Sequence, residues 1–135
     1  MNSKTLSLLW GAAFLGAYLA GSIPNPLVGS DGLFKTNTAH DLVHIVTAAA
    51  FAAMAFTSAK AVRRFMLAFG VVYALVGLLG FTVTGLHGDM GMLLGFICIN
   101  VLDNFLHLGL GAGIFLTGKY LVRPGTVQDS VASPA

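Results

Sequence analysis

Four stretches of this chain run close to the length of a membrane crossing with almost no charge, and that pattern limits the fold more than any other feature. A helix needs about 20 mostly apolar residues to cross about 30 Å of hydrocarbon at about 1.5 Å per residue. The stretches cover about 6–23, 40–58, 65–84 and 101–121, the second and fourth only with their polar starts included. Only 9% of the 135 residues are charged, where a soluble domain carries about 25%. That is too little charge to cover a water-facing globule. The prediction is an all-α integral membrane protein, one four-helix domain over 1–123, followed by a small, polar tail, 124–135, that reads as disordered. Lys4 ahead of an apolar run also fits a secretory signal peptide, but the run is long for one and is read as an uncleaved helix.

Basic residues set the expected orientation. Lys4 precedes the first span, Lys60, Arg63 and Arg64 fill the expected turn at 59–64, and Lys119 and Arg123 follow the fourth span. Only Lys35 falls on the other side. The positive-inside rule then makes both termini cytoplasmic, in a bacterial plasma membrane or another bacterial energy-transducing membrane, with Trp10 and Tyr120 in the inner aromatic belt. The outer side receives two longer connections, about 24–39 and 85–99, with four of the five aspartates and all four histidines. Ile23-Pro24-Asn25-Pro26 stops the first helix. Met90 to Ile99 is apolar but too short to span, so it is expected in the interface or packed over the bundle.

Several function classes drop out. A net charge of +2 is far from the basic excess of a nucleic-acid binder, and the single cysteine, Cys98, excludes an internal disulfide framework and reads as a small packing residue. No triad spacing, phosphate-binding glycine loop or CxxC pair occurs, and the methionines form no array. No paired carboxylates lie deep in a span, as a proton relay needs. These absences point away from an enzyme.

The chain repeats itself. Asn37-Thr38-Ala39-His40-Asp41-Leu42-Val43-His44 resembles Asn100-Val101-Leu102-Asp103-Asn104-Phe105-Leu106-His107, and Gly11 to Gly21 resembles Gly70 to Gly80, with Phe14 opposite Tyr73. This predicts two helical hairpins in tandem, both inserted in the same direction and related by a pseudo-twofold axis along the membrane normal. His44 and His107 then lie at similar depth. With these motifs the chain resembles the bacterial family of small four-helix membrane proteins known as domain of unknown function 4383. The resemblance covers most of the chain and implies four spans and no established activity.

The repeated octapeptide has two readings. As helix caps, Asn37 or Thr38 and Asn100 accept bonds from free N–H groups of the first turn. Asp41 and Asp103, three residues after Thr38 and Asn100, then complete capping boxes and favour the helix dipole. As a site, His40 and His44 share one helix face, and Asp103 and His107 repeat that spacing. Together they offer three nitrogens and a carboxylate, a set that suits zinc or iron. Alternatively His44 and His107 are axial ligands of a haem, or each holds a chlorin, with room beside Gly109, Gly111 and Gly113. His87 and Asp89 are expected in a solvated loop, outside the main cluster.

The leading expectation is a non-enzymatic accessory or scaffolding subunit that docks with other membrane proteins or with itself. Small residues spaced by four, Ala13, Ala17 and Gly21, Ala48 and Ala52, Gly109 and Gly113, favour close helix packing in lipid. Metal or tetrapyrrole binding is the alternative. A transporter or channel ranks last, because the first and third spans carry almost no polar residues.

Overall fold

Among the described residues, three of the four α-helices begin on an asparagine. Asn2 Oδ1 accepts from Thr5 N at 2.8 Å, Asn37 Oδ1 from His40 N at 3.0 Å, and Asn100 Oδ1 from Asp103 N at 3.0 Å. The other begins on Ser58, whose Oγ accepts from Ala61 N at 3.2 Å. Each cap satisfies one of the free donors of a first turn. The computed structural model describes residues 1–88 and 90–123. Its helices are α1 (Ser3–Ser22), α2 (Thr38–Met54), α3 (Ala59–Thr84) and α4 (Val101–Leu116), the last continued by a π-helical turn, Thr117–Leu121. The helices α1, α3 and the run Val101–Leu121 are long and apolar enough to cross a membrane, and α2 is a shorter apolar helix of 17 residues.

Two expectations are corrected. The span expected at 40–58 ends as a helix at Met54, and the one expected at 65–84 already starts at Ala59, because Ser58 caps it there. Lys60, Arg63 and Arg64 therefore lie in the first turns of α3, not in a turn. The fold is also not purely helical at the end of the bundle opposite the termini, the distal end. Strands β1 (Val28–Gly29) and β2 (Phe34–Lys35) pair in parallel, and β3 (Gly91–Leu93) pairs antiparallel with β4 (Ile97–Ile99). The β3–β4 turn takes Leu94 at φ 55° and Gly95 at φ 83°, a left-handed conformation that glycine adopts without strain. Strand pairing satisfies backbone groups that an extended segment laid over the bundle leaves bare. Asp89 and residues 124–135, the expected tail, lie outside the described residues.

Helix α1 packs chiefly on α2, and α3 on α4. The second contact is backbone to backbone, since a Cβ on Gly70 would stand 2.7 Å from Gly111 O and one on Gly111 2.5 Å from Ala74 N. At the level of the termini, Trp10 joins α1 to the end of α4, its Nε1 donating to Thr117 Oγ1 at 3.3 Å. The core between the helices is aromatic. Phe14 stacks on Phe51 at 5.7 Å, and Phe65, Phe69 and Tyr73 follow one another along α3 at 5.3 and 5.2 Å. This column leads from the proximal half of the bundle to a polar cluster under the distal end.

Candidate metal centre

His40 and His44 lie one turn apart on α2, and His107 faces them from α4. Their rings are in contact, with centroids 4.6 Å apart for His40 and His44 and 5.5 Å for His40 and His107. All three are buried, at 2%, 7% and 5% exposure. One ring nitrogen from each lies within 4.8 Å of the other two. Imidazole nitrogens bound at about 2.0–2.1 Å to one tetrahedral ion sit about 3.3 Å apart, so this trio lies near ligand spacing.

Hydrogen bonds fix which nitrogens are free. His40 Nδ1 donates to the Cys98 carbonyl at 2.8 Å, and His107 Nδ1 donates to the Asp103 carbonyl, one turn back on its own helix, at 2.7 Å. A carbonyl only accepts, so both Nδ1 atoms carry the proton and both Nε2 atoms present a lone pair. Metal-binding histidines almost always hold their second nitrogen in this way. Among the described residues, four buried polar atoms in this region find no hydrogen-bond partner: His40 Nε2, His44 Nδ1, Asp103 Oδ2 and Tyr73 Oη. An unpaired buried group costs about 1–3 kcal/mol, and four of them around one cluster fit a site built for a bound group.

Asp103 adjoins the trio without joining it. Its Oδ2 is 3.9 Å from His40 Nδ1, the nitrogen already committed to Cys98. The Tyr73 ring stacks on His107 at 5.0 Å and 24°, and Phe14 stands 6.1 Å from His44. Above the rings, Cys98 is buried in β4, and burial pushes its thiol up, with Asp103 adding to the shift against Lys35. The thiol is a packing group, while its carbonyl orients His40.

The family described as domain of unknown function (DUF4383) matches residues 4–120. The chain belongs to this family. No curated protein and no solved structure matches it.

In this DUF4383 chain the cap asparagines of α2 and α4 also tie the distal connections down. Asn37 Nδ2 donates to Phe96 O at 2.9 Å and its Oδ1 accepts from Cys98 N at 3.2 Å, while Asn100 Nδ2 donates to Leu33 O at 2.7 Å. Each thereby holds the loop that precedes the other. With Asn37 as the cap, Asp41 falls one residue past the capping-box position. Its carboxylate lies against Gly21 of α1, with Oδ1 unpaired, while Asn104 lies against Gly80 of α3 and donates to Thr84 Oγ1 at 2.8 Å. Of the three glycines expected to leave room beside α4, Gly111 is covered by α3 and Gly113 by Trp10, while Gly109 is open. His87 is exposed, away from the rings. The contributions of Tyr73 and the Cys98 carbonyl were not foreseen. The alignment of Phe14 with Tyr73 was the one available signal for the first, and a backbone carbonyl leaves none.

Proposed function

We propose that this is a multi-pass membrane protein that holds one divalent transition-metal ion, zinc or iron, between His40, His44 and His107. The observation that carries the reading is the pair of Nδ1–carbonyl bonds, which leaves a lone pair on two rings of a buried trio that brings one nitrogen from each within 4.8 Å. Three imidazoles with a carboxylate close by suit either metal. A haem or chlorin fits less well. His40 touches both other rings, and the free space beside them is a cavity of about 60 Å³, where pockets for larger ligands run to about 300–1,000 Å³.

In this reading four helices span the bilayer as two parallel hairpins, with both termini cytoplasmic and the centre near the opposite surface. The paired arrangements Gly21–Asp41 with Gly80–Asn104, and Gly11–Ala48 with Gly70–Gly111, support the repeat. The basic residues at the proximal end support the orientation. A second reading, an accessory subunit docked on other membrane proteins or on its own copies, is favoured by a wholly apolar groove of about 330 Å³ along Gly70, Ala74, Gly111 and Phe115. The two are compatible.

Metal analysis of protein purified in mild detergent and reconstituted with zinc or iron(II) tests the first reading. About one ion per chain is expected, with each of His40→Ala, His44→Ala and His107→Ala weakening binding by more than the roughly 10–100-fold seen for outer-shell losses. Cys98→Ser is expected to keep full stoichiometry. A wild-type chain that stays metal-free, or histidine variants that bind as well as it does, overturns the reading. A protein that always isolates as a lone monomer contradicts the second.

A further inference from the structure

We infer that the groove between α3 and α4 seats one acyl chain of an anionic phospholipid, whose headgroup meets Arg64 and Lys119 at the proximal end. The inference rests on the membrane reading of the helices and not on the metal. It commits the groove to a lipid in place of a protein partner.

Small residues open the groove. Gly70 and Gly111 bring the two backbones together, Ala74 and Ala112 add one methyl each, and the half-exposed Val71 and Leu116 flank them. Every residue along its volume of about 330 Å³ is apolar, so it suits hydrocarbon and offers a polar group no partner. One turn beyond Ala74 and Gly111, the Leu108 side chain takes the space beside Gly77, where a Cβ would stand 3.0 Å from Leu108 Cγ. From Leu108 to Lys119 the chain rises roughly 16 Å at about 1.5 Å per residue. That is close to half of the about 30 Å of hydrocarbon in a bilayer, the depth of one leaflet. A tail that ends at Leu108 therefore carries its headgroup to the level of Lys119.

Charge selects the headgroup. At that level α3 touches the π-helical turn, since a Cβ on Gly118 would stand 3.3 Å from both Arg63 O and Leu67 N. Lys119 follows Gly118 directly, and Arg64 lies between the two α3 residues that Gly118 meets. Arg64 also precedes Val71 by seven residues, about two helical turns, and so shares its face. The side chains of Arg64, Lys119 and Lys60 are exposed. Among the described residues the acids are Asp31, Asp41 and Asp103, all distal, so no carboxylate there offsets these cations. Basic residues at the mouth of a groove between spanning helices suit an anionic headgroup. A second copy suits it less, because in a twofold dimer the same patch meets itself, setting Arg64 and Lys119 against their own copies.

Native mass spectrometry of the full chain in detergent, titrated with phosphatidylglycerol or phosphatidylcholine of identical tails, tests the site. About one phosphatidylglycerol per chain is expected, bound about tenfold or more tightly than phosphatidylcholine, at about fivefold for each basic residue engaged. Arg64→Gln combined with Lys119→Gln is expected to erase that preference and leave phosphatidylcholine binding as it was. Ala112→Trp, which fills the groove, is expected to weaken both lipids. Lys4→Gln removes a proximal cation that stands 5.4 Å over the Phe56 ring, beyond the end of α2, and is expected to change neither. Equal affinity for the two lipids, a preference that survives the double variant, or one that falls as far with Lys4→Gln overturns the site. Lipid binding indifferent to Ala112→Trp, with a dimer lost in that variant, gives the groove to a second copy and overturns it as well. The glutamine variants change only exposed side chains and decide the question even where Ala112→Trp fails to fold. All of these outcomes leave the membrane reading intact, whereas a chain released from membranes by carbonate without detergent overturns both.

Discussion

Asn37 shows how much one side chain does at the distal end. It caps α2, accepts from Cys98 N and donates to Phe96 O, so it holds the strand whose carbonyl orients His40. Asn37→Ala is expected to cost about 0.5–2 kcal/mol from the lost cap alone, seen as a lower unfolding temperature in detergent. By releasing β4 it is also expected to weaken metal binding by about 10–100-fold, the range for an outer-shell partner. Asn37→Asp keeps the acceptor and loses the donor to Phe96, and should fall between the two. If Asn37→Ala lowers stability with no change in metal affinity, Cys98 does not orient the ring. His44 and His107 were legible in the sequence because an octapeptide recurs with histidine in register. His40's true partner was not, because a backbone carbonyl delivered by a strand has no residue type to betray it. Asp41 was misplaced for a similar reason. The choice between Asn37 and Thr38 as cap depends on backbone geometry, and it shifts the box by one position.

Among the elements, α3 and α4 are joined where glycine leaves backbone against backbone. A Cβ at Gly111 meets the α3 main chain, whereas one at Gly109 meets nothing within 4 Å. Gly111→Ala is therefore expected to destabilise by about 1–3 kcal/mol, the usual cost of overpacking, and Gly109→Ala to stabilise by up to about 1 kcal/mol through helix propensity. Thermal unfolding of the two variants side by side checks this, and equal effects contradict the close approach. Helix existence was legible from apolar run length alone, but two boundaries were not. Lys60, Arg63 and Arg64 interrupt the apolar run, whereas the helix capped by Ser58 begins ahead of them. The β3–β4 hairpin escaped notice because its signal is the left-handed pair Leu94 and Gly95 within an apolar run, not an alternating pattern.

For the whole molecule, composition pointed to long apolar helices, three of which are long and apolar enough to cross a membrane, and the basic residues carry only an expectation of orientation. In a Cys98→Ser background, single cysteines at Lys35, Lys60 and Lys119 make the orientation measurable. Lys35→Cys is expected to react with an impermeant maleimide on intact cells, and Lys60→Cys and Lys119→Cys only after permeabilisation. The reverse pattern inverts the protein and moves the histidines to the cytoplasmic side. The shared site itself depends on α2 and α4 meeting through side chains, which becomes visible only once the hairpins pack. X-ray absorption at the metal edge of the reconstituted wild-type protein tests that meeting most directly. Three imidazole ligands at about 2.0–2.1 Å, falling to two in His107→Ala, are expected. A shell with one imidazole or none, or one unchanged by His107→Ala, contradicts a centre shared between the two helices.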